Sequence, residues 1–488
     1  MELWPSKYNV IVDFQVPDQP PIYVLQNLFH GHVDFIDSPI PSWFWSLEGS
    51  AAIQVSHGTS SGFLEHLIEK RLLYRSRDAE DELVQRFIET TGQRDSVILR
   101  HRGSQYGFLL TYACNLRCPY CFQRGLAKTG HIMTEEMVDL AFEAIDGFET
   151  GPRDLLDTLG SKTPVPGISI AGGEPLLVSP RQRRVLERII QNSEDRGFRY
   201  SVTTNGVELE KFVGLFDRTS MITDIQVTLD GPAPIHNKRR AFADGRGSFN
   251  FIERGINAAL DKHLPLSLRI NLDLANVDYV GELGAFLLDS GWLGAENFHC
   301  YVSPVTDNSG LGGYDRISDE SRLLDKMLAF INSDTRLAGV FDIKHFRGFD
   351  YVRKLVEEKE PKIPVLYRCE AVLGMYIFDP RGDIYVCLEA AGNPQLKVGS
   401  YVPELSISEA KLKEWHDKDL VHLPACSDCK VRFICAGGCA LKAFSKPEAP
   451  DCKPILHEMR AAWNYFREKV VMDLCKEEST VEEETKVR

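Results

Sequence analysis

Apolar runs and stretches of helical period alternate through the middle of the chain. The runs predict six strands, at 106–113, 166–171, 199–204, 223–229, 266–273 and 297–303. Between them, apolar residues recur every three or four positions, as from Met137 to Phe148, which predicts helices. Thr134 and Ser179 stand where helix N-caps are expected. Strand–helix alternation of this kind predicts an α/β fold with a parallel sheet and ligands at the carboxyl ends of its strands.

The first hundred residues follow another pattern. Short strands are predicted near 8–14 and 22–28, and helices at 63–72 and 78–91. A few strands followed by helices predict a small winged-helix-like α+β module. Two interpretations stay open: an ordinary cap on the α/β core, or a module that binds peptide by strand addition to a sheet edge.

Beyond the sixth strand, helices are predicted around 322–328 and 351–356, and a hairpin over 376–387 turns at Pro380-Arg381-Gly382. The final stretch, 476–488, is charged and predicts a disordered tail.

Length and charge restrict the classes of protein. A chain of 488 residues predicts two or three domains. The net charge of −14 argues against a nucleic-acid partner. We see no signal peptide and no apolar run long enough for a membrane span, so a cytoplasmic protein without a membrane partner is expected. Twelve cysteines in such a chain indicate metal binding rather than disulfides.

Three of these cysteines, Cys114, Cys118 and Cys121, follow the first predicted strand of the core. Pro119 prevents a regular helix through them. Three thiolates on one tight loop can hold three irons of a cubane cluster and leave the fourth iron open. A structural zinc site would instead need four closed ligands, and no fourth ligand lies nearby in the sequence.

This spacing, with the aromatic Tyr120 before the third cysteine, resembles the signature of radical S-adenosylmethionine (SAM) enzymes. The resemblance implies a partial (β/α)6 barrel and a 4Fe–4S cluster bound by Cys114, Cys118 and Cys121. In that family SAM chelates the open iron and is cleaved to a 5′-deoxyadenosyl radical, so the cofactors carry the chemistry and the protein aims it.

Other strand ends carry further motifs of the family. Gly172, Gly173 and Glu174 follow the second strand, and the resemblance implies that they hold the SAM amino group. Thr204 and Asn205 end the third strand and are expected near the methionyl or ribose portion. An ordinary Asn-Gly turn is the alternative for this last motif.

The fourth strand alternates polar and apolar residues, so Gln226, Thr228 and Asp230 point to one face. The resemblance implies that Thr228 contacts the ribose and Asp230 the floor of the active site. It further implies that Arg240 pairs with the SAM carboxylate or fixes Asp230, although a solvated basic loop stays open. Other candidate contacts nearby are His236, Arg239, Arg269, Asn271, Asp273 and Asn276.

Seven cysteines between residues 369 and 452 resemble a SPASM domain, which holds two auxiliary 4Fe–4S clusters. The resemblance implies one cluster on Cys426, Cys429, Cys435 and Cys452, and another on Cys369, Cys387 and Cys439. The latter set lacks a fourth cysteine, so this cluster has either an open iron or a ligand from elsewhere. In isolation, Cys426 to Cys439 could also bind zinc. Cys300 is expected in the core, and Cys475 is expected to be a free thiol, with the missing ligand as the alternative.

The resemblance covers about residues 105–455. It implies a possible leader-peptide-binding module at 1–100, a radical SAM barrel at 105–345, linker helices with an Fe–S-rich SPASM domain at 346–475, and the tail. SAM and three 4Fe–4S clusters are the implied cofactors. The implied partners are a precursor peptide with a leader segment and a reductant such as flavodoxin or ferredoxin.

The function implied is a peptide maturase that forms a thioether or carbon–carbon cross-link. One alternative is an anaerobic sulfatase-maturating enzyme, whose family places an aspartate after the cysteine equivalent to Cys387, where this chain has Leu388 and then Glu389. The other is a non-catalytic Fe–S electron carrier.

Overall fold

A computed structural model describes most of the chain. The described residues are 2–14, 21–37, 39–49, 51–54, 61–101, 105–126, 130–149, 166–306, 308, 314–317, 319–360, 364–445 and 450–473. Cys475 and the expected tail at 476–488 lie outside them.

Six parallel strands form the centre of the molecule, in the order of the chain. They are β7 (Gln105–Leu109), β8 (Gly167–Ala171), β9 (Arg199–Thr203), β10 (Ile222–Thr228), β11 (Leu266–Leu272) and β12 (Phe298–Pro304). Each pairs with its neighbour in sequence, as Tyr106 with Ile168 and Val227 with Leu268. The six strands predicted from apolar runs are confirmed, and so is the mixed α/β class with a central parallel sheet.

Helices connect these strands and cover the sheet. Among the described residues the α-helices are Ser61–Glu69, Arg77–His101, Glu135–Glu149, Pro180–Asp195, Val213–Phe216, Ala233–Arg239, Phe249–Asp261, Val280–Asp289, Glu320–Ser333, Arg347–Arg353, Glu370–Leu373, Glu409–His416, Arg432–Cys435, Ala440–Ser445 and Ile455–Tyr465.

Both expected N-caps are confirmed, because Thr134 Oγ1 accepts from Met137 N at 3.1 Å and Ser179 Oγ from Gln182 N at 3.1 Å. None of the helices among the described residues combines the length and apolar character needed to cross a lipid bilayer.

The predicted carboxyl-terminal hairpin forms, and it joins the central sheet. Its strands are β13 (Tyr376–Phe378) and β14 (Asp383–Tyr385), followed by β15 (Gly399–Ser400) and β16 (Ser406–Ile407). β13 pairs in parallel with β7, so the described residues form one ten-stranded sheet from β12 to β16. Tyr112, just past β7, donates a hydrogen bond to Asp379 Oδ2 at 2.7 Å and fastens the hairpin to the barrel.

The amino-terminal region contains two small antiparallel sheets within the described residues. One has the order β2 (Asn9–Phe14), β3 (Ile22–Asn27), β4 (Val33–Asp37). The other sheet is formed by β5 (Ile53–Gln54), β1 (Glu2–Pro5) and β6 (Leu73–Tyr74). The helix expected at 78–91 is longer and spans Arg77–His101.

Phe433 joins this amino-terminal region to the carboxyl-terminal cysteines. It lies between Cys429 and Cys435 in the sequence and is 2% exposed. Its ring packs against Tyr8, Phe29 and Phe87, with centroid distances of 5.5, 5.0 and 5.4 Å. Two further contacts support this interface: Trp463 Nε1 donates to Gln26 Oε1 at 3.2 Å, and Lys430 Nζ to Asn9 O at 3.3 Å. The two ends of the chain therefore share one core.

Candidate active site

The first cysteine loop leaves β7 and is held against the segment that follows β10. Arg117 N donates to Ala241 O at 2.9 Å, and Leu116 pairs with Phe242 in an isolated bridge. Within the loop, Leu116 N donates to Cys114 Sγ at 3.4 Å. The thiols of Cys114, Cys118 and Cys121 are all partly exposed at the carboxyl end of the sheet.

The three thiols stand close enough to act on one another. Burial, together with the nearby Glu174, Cys118 and Cys121, raises the pKa of Cys114 to about 12. Burial also raises the pKa of Cys118 to about 11, whereas Arg240 opposes the rise. Without a cation, the loop therefore favours neutral thiols. The donor set fits iron, which would bind the thiolates and release their protons.

In the described part of the chain, no three His, Cys, Asp or Glu side chains converge on a point that could hold a single metal ion. A cubane cluster binds each cysteine through a different iron, so it does not need such a point.

The Gly172-Gly173-Glu174 motif packs directly on the cysteine loop. Gly173 N donates to Thr111 O at 2.7 Å, and Glu174 N to Ala113 O at 2.9 Å. A Cβ on Gly173 would lie 2.2 Å from Ala113 O, so only glycine fits there. The glycine therefore allows the close approach of one backbone segment to another.

Glu174 lies at the centre of the strand ends and is 1% exposed. Its carboxylate accepts from Thr204 Oγ1 at 2.6 Å, Asn205 N at 2.6 Å and Leu176 N at 2.8 Å. Burial raises the pKa of Glu174, and these three hydrogen bonds lower it. Asn205 also donates to Asn115 Oδ1 at 2.7 Å, which links β9 to the cysteine loop. The motifs that end three strands thus meet around one carboxylate.

A second buried carboxylate, Asp230, lies where β10 ends. Tyr120 of the cysteine loop donates its hydroxyl hydrogen bond to Asp230 Oδ2. Arg239 Nε lies 3.4 Å from the same oxygen, and Arg239 Nη1 lies 2.8 Å from Asp273 Oδ1. Tyr314 completes the network by donating to Asp273 Oδ2 at 2.7 Å.

The arginine that pairs with Asp230 is Arg239, and not Arg240 as one of the two expectations had it. Arg240 instead donates from Nη1 to Tyr120 Oη at 2.7 Å. Its Nε is buried and has no hydrogen-bond partner among the described residues. A buried guanidinium with an orphaned donor, next to Cys118, fits the carboxylate of SAM.

His236 holds the end of β10 through contacts of both its ring nitrogens. Its Nδ1 accepts from Asp230 N at 3.1 Å, and its Nε2 lies 2.9 Å from Ser248 Oγ. Burial lowers the pKa of His236 to about 3, with a further contribution from Arg240, so the ring is neutral. It positions the Asp230 turn and does not face the cysteines.

The remaining barrel candidates extend this network. Thr228 is buried at the end of β10, and Asn276 Nδ2 donates to Asp230 O at 2.7 Å. Asn271 donates to Tyr120 Oη at 3.3 Å and so belongs to the same network. Arg269 donates from Nε to Asn271 Oδ1 at 2.8 Å and from Nη2 to Ser303 Oγ at 3.1 Å, and it also lines a cavity with Ser303.

The carboxyl-terminal cysteines form two groups. Burial raises the pKa of Cys426 to about 11, with contributions from Cys429, Cys435 and Cys452. Burial likewise raises the pKa of Cys387 to about 12, and Cys369 and Glu389 add to the rise. The same two neighbours, Cys369 and Glu389, also raise the pKa of Cys439. That these sets of four and three thiols each hold a cluster stays a prediction.

The set of three lines a cavity of about 570 Å³. Arg269 of β11 and Ser303 of β12 line the same cavity, so it joins the barrel interior to these thiols. Cys300 lies on β12, is 4% exposed, and does not line it.

Sequence reasoning gave no role to Asn115, Tyr314 or Glu389. Asn115 lies inside the cysteine motif and bonds Asn205, so its position in the motif is a signal that could have identified it. Tyr314 follows β12 at the same edge of the sheet as the other strand-end motifs. Glu389 was considered only as a departure from the sulfatase-maturase pattern, although it lines the cavity of the three thiols.

Comparisons with known proteins agree with this geometry. Residues 108–283 match the model of the Radical SAM superfamily. The chain is 23% identical over 354 residues to the cysteine-type anaerobic sulfatase-maturating enzyme of Clostridium novyi (strain NT), covering 69% of this chain and 87% of that enzyme. It is 23% identical over 351 residues to the mycofactocin maturase MftC of Mycolicibacterium smegmatis, covering 69% and 77% of the two chains.

Solved structures are similar in fold. Native anSMEcpe with bound AdoMet superposes with a TM-score of 0.55 at 16% identity, over 75% of this chain and 98% of that one. Streptococcus suis SuiB bound to S-adenosylmethionine superposes with a TM-score of 0.50 at 12% identity, over 93% and 99%. The central sheet thus has the fold of these structures. The Radical SAM match over residues 108–283 implies SAM and a 4Fe–4S cluster. Residues 108–283 form a radical SAM domain, and the protein that contains it is an enzyme.

Proposed function

We propose that this enzyme is a peptide maturase, which uses radical SAM chemistry to form a thioether or carbon–carbon cross-link in a ribosomally made precursor peptide. The observation that carries the proposal is the cavity that runs from Arg269 and Ser303 in the barrel to the thiols of Cys369, Cys387 and Cys439. A substrate side chain in this cavity lies between the two cysteine regions. The names of the sulfatase-maturating enzymes and of the mycofactocin maturase support action on a polypeptide.

In this proposal each region of the chain has its own role. The region of residues 1–100 binds the leader of the peptide, residues 105–345 form the barrel, and residues 346–475 carry two auxiliary 4Fe–4S clusters. Cys426, Cys429, Cys435 and Cys452 hold one of these clusters, and Cys369, Cys387 and Cys439 hold the other. A flavodoxin or ferredoxin supplies electrons.

In the barrel, Cys114, Cys118 and Cys121 hold the first cluster. When bound, this cluster and SAM supply a 5′-deoxyadenosyl radical that can abstract a hydrogen atom from the peptide. Arg240, whose buried Nε–H has no partner among the described residues, would hold the SAM carboxylate. Glu174 fixes Thr204 and Asn205 around the amino group and the ribose.

Tyr120 and Asp230 tie the cysteine loop to β10 and so fix the distance between cluster loop and cofactor site. Arg239 pairs with Asp230 and with Asp273 in a buried network. Because these groups bind one another rather than water, the network helps to keep water away from a radical. Thr228 completes the ribose side of the pocket.

A second candidate is formylglycine formation in a sulfatase, as in the named relatives from Clostridium. The observation in its favour is that Glu389 reaches the cavity of Cys387, where that family uses an aspartate one position earlier in the sequence. The interpretation as a non-catalytic electron carrier is wrong, because the chain is an enzyme.

Anaerobically reconstituted protein separates the two candidates. We would incubate it with dithionite, SAM and any short peptide encoded beside it, and in parallel with a sulfatase peptide that contains the target cysteine or serine. We expect the first peptide to lose two hydrogens per cross-link, between two residues located by tandem mass spectrometry, and to depend on its leader segment.

The control is an aldehyde-reactive hydrazide, which labels formylglycine and does not label a cross-link. Hydrazide labelling of the sulfatase peptide, with the first peptide unchanged, would replace the maturase proposal by the second candidate.

A further inference from the structure

The cavity of the three thiols is lined by further groups that can bind iron, among them His345 and Glu389. The ring of His345 stacks on Tyr301, with the ring centroids 5.1 Å apart. Glu389 follows Cys387 by two residues and lines the cavity with Cys369, Cys387 and Cys439. Glu389 therefore shares one cavity with all three thiols.

A residue from the barrel holds this carboxylate in place. Asn308, which follows β12, donates from Nδ2 to Glu389 Oε1 at 3.0 Å and from its backbone N to Oε2 at 3.3 Å. Each carboxylate oxygen has two lone-pair sites, so either oxygen can accept this hydrogen bond and still bind a cation. The two contacts restrict the rotation of the Glu389 side chain. A metal ligand requires such a fixed orientation.

No other thiol of the described residues competes for the position. The remaining four carboxyl-terminal cysteines form the other group, in which Cys426 responds to Cys429, Cys435 and Cys452. Cys300 is on β12 and interacts with Asp342. Of the other carboxylates that line the cavity, Glu320 pairs with Lys453 at 2.6 Å, and Glu370 is exposed.

We propose that the Glu389 carboxylate is the fourth ligand of the cluster held by Cys369, Cys387 and Cys439. This inference rests on the proposed function, since it assumes that these thiols hold a cluster. It restricts the substrate class: a cluster with four protein ligands offers no iron to a substrate thiolate. The peptide is then recognised without coordination of a cysteine, and this cluster serves to accept an electron.

The test uses the full chain with Cys114, Cys118 and Cys121 all replaced by alanine, so that only auxiliary clusters remain. In this background we compare Glu389→Ala, Glu389→Cys and the control Glu370→Ala, whose carboxylate is exposed at the rim of the same cavity. We measure iron and sulfide per chain and the electron paramagnetic resonance spectrum of the reduced protein, each with and without added 2-mercaptoethanol.

The parent protein and Glu370→Ala are expected to hold about eight irons and to give a spectrum that the thiol does not change. Glu389→Ala is expected either to lose up to half of that iron or to keep it with a spectrum that the thiol shifts, because an iron is then open. Glu389→Cys should keep the iron and give a different spectrum that the thiol does not change.

If Glu389→Ala matches its parent in iron and in spectrum, with and without thiol, Glu389 is not a ligand, even if the peptide-modifying activity of the otherwise wild-type variant is lost. If the parent with the three alanines holds no iron at all, the auxiliary clusters themselves are absent. That result overturns the division of labour proposed above together with this inference, whereas the first result overturns this inference alone.

Discussion

The first cysteine loop and the carboxyl-terminal cysteines reach their places by different routes. Around Cys114, Cys118 and Cys121, hydrogen bonds within the chain already connect the loop to the ends of β8, β9 and β10. Around the other seven thiols there are short helices and turns, such as Arg432–Cys435, and a hydrophobic contact to the amino-terminal region through Phe433.

This difference shows that one site is built by the sheet and the other by packing between distant parts of the chain. In the barrel site, polar side chains from the cysteine loop and from the strand ends pair with one another. The carboxyl-terminal site gains most from what binds to it, because metal binding contributes directly to folding where the chain alone leaves loops.

The sharpest test of the comparison removes one thiol of the first loop. We expect Cys118→Ala to lower the formation of 5′-deoxyadenosine by at least about 1000-fold, because two cysteines hold a cubane cluster poorly. Auxiliary iron should stay bound, since the two regions have separate ligands. The matched control is Cys300→Ala, a buried thiol outside both regions, which should keep the cleavage of SAM. Continued cleavage by Cys118→Ala would remove the loop from the mechanism.

A substitution in the buried ion network tests whether the barrel site is stable without cofactors. Arg239→Met leaves Asp230 and Asp273 buried without their cation, and should lower the free energy of unfolding by about 3–5 kcal/mol. Arg246→Met breaks an exposed pair with Asp244 and should leave the free energy of unfolding nearly unchanged. Urea denaturation measures both, and the loss for Arg239→Met should be equal in protein with and without iron. A loss seen only in iron-loaded protein would mean that the network depends on the cofactors.

Phe433 tests the other half of the comparison. Phe433→Ala removes the ring between the amino-terminal aromatics and the cysteines, and should destabilise the protein by about 3 kcal/mol. Hydrogen exchange should increase in β2 and around Cys435, and hardly in β8 and β9. Leu405→Ala, at a side chain that is 45% exposed, should change little. Uniform exchange across the molecule would show that the regions do not differ in this way.

The smallest effect we expect is an opposite dependence of stability on pH in the two regions. Burial lowers the pKa of His236 in the barrel to about 3, so this residue makes stability fall as the pH falls below about 6.5. Burial raises the pKa of Glu458 in the carboxyl-terminal helix to about 7, so there stability falls as the pH rises from about 4.5 toward 7. Each slope is at most about 1.4 kcal/mol per pH unit.

The test compares denaturation at pH 5 and pH 8. Glu458→Gln should remove the loss on the alkaline side, and His236→Gln the loss on the acid side. If Glu458→Gln is no more stable than the parent at pH 8, the carboxyl-terminal region does not carry this dependence.

Much of the barrel could be predicted from the sequence because its information is local. Apolar runs gave the six strands, and Thr134 and Ser179 gave two helix starts. The cysteine spacing and the glycines of the second strand end lie within a few residues of each other. Motifs that follow successive parallel strands meet at one edge, so their proximity followed from the alternation alone.

What the sequence did not reveal depends on pairs far apart in the chain. Nothing near Tyr376 indicates that β13 pairs with β7, and nothing near Phe433 indicates a contact with Tyr8. Arg239 and Arg240 are neighbours of the same type, so only the helical turn that ends at Arg239 decides which one faces Asp230. Glu389 could not be placed among the thiols until the hairpin was placed.

The pairing of β13 with β7 has a consequence for the folding of this protein during its synthesis on the ribosome. β7 is an edge of the sheet until Tyr376, of 488 residues, has been synthesised. The strand that carries the first cysteine loop therefore spends most of translation with one row of unpaired backbone groups, the feature by which nascent chains stick to one another. Slow elongation before residue 376 should therefore favour aggregation.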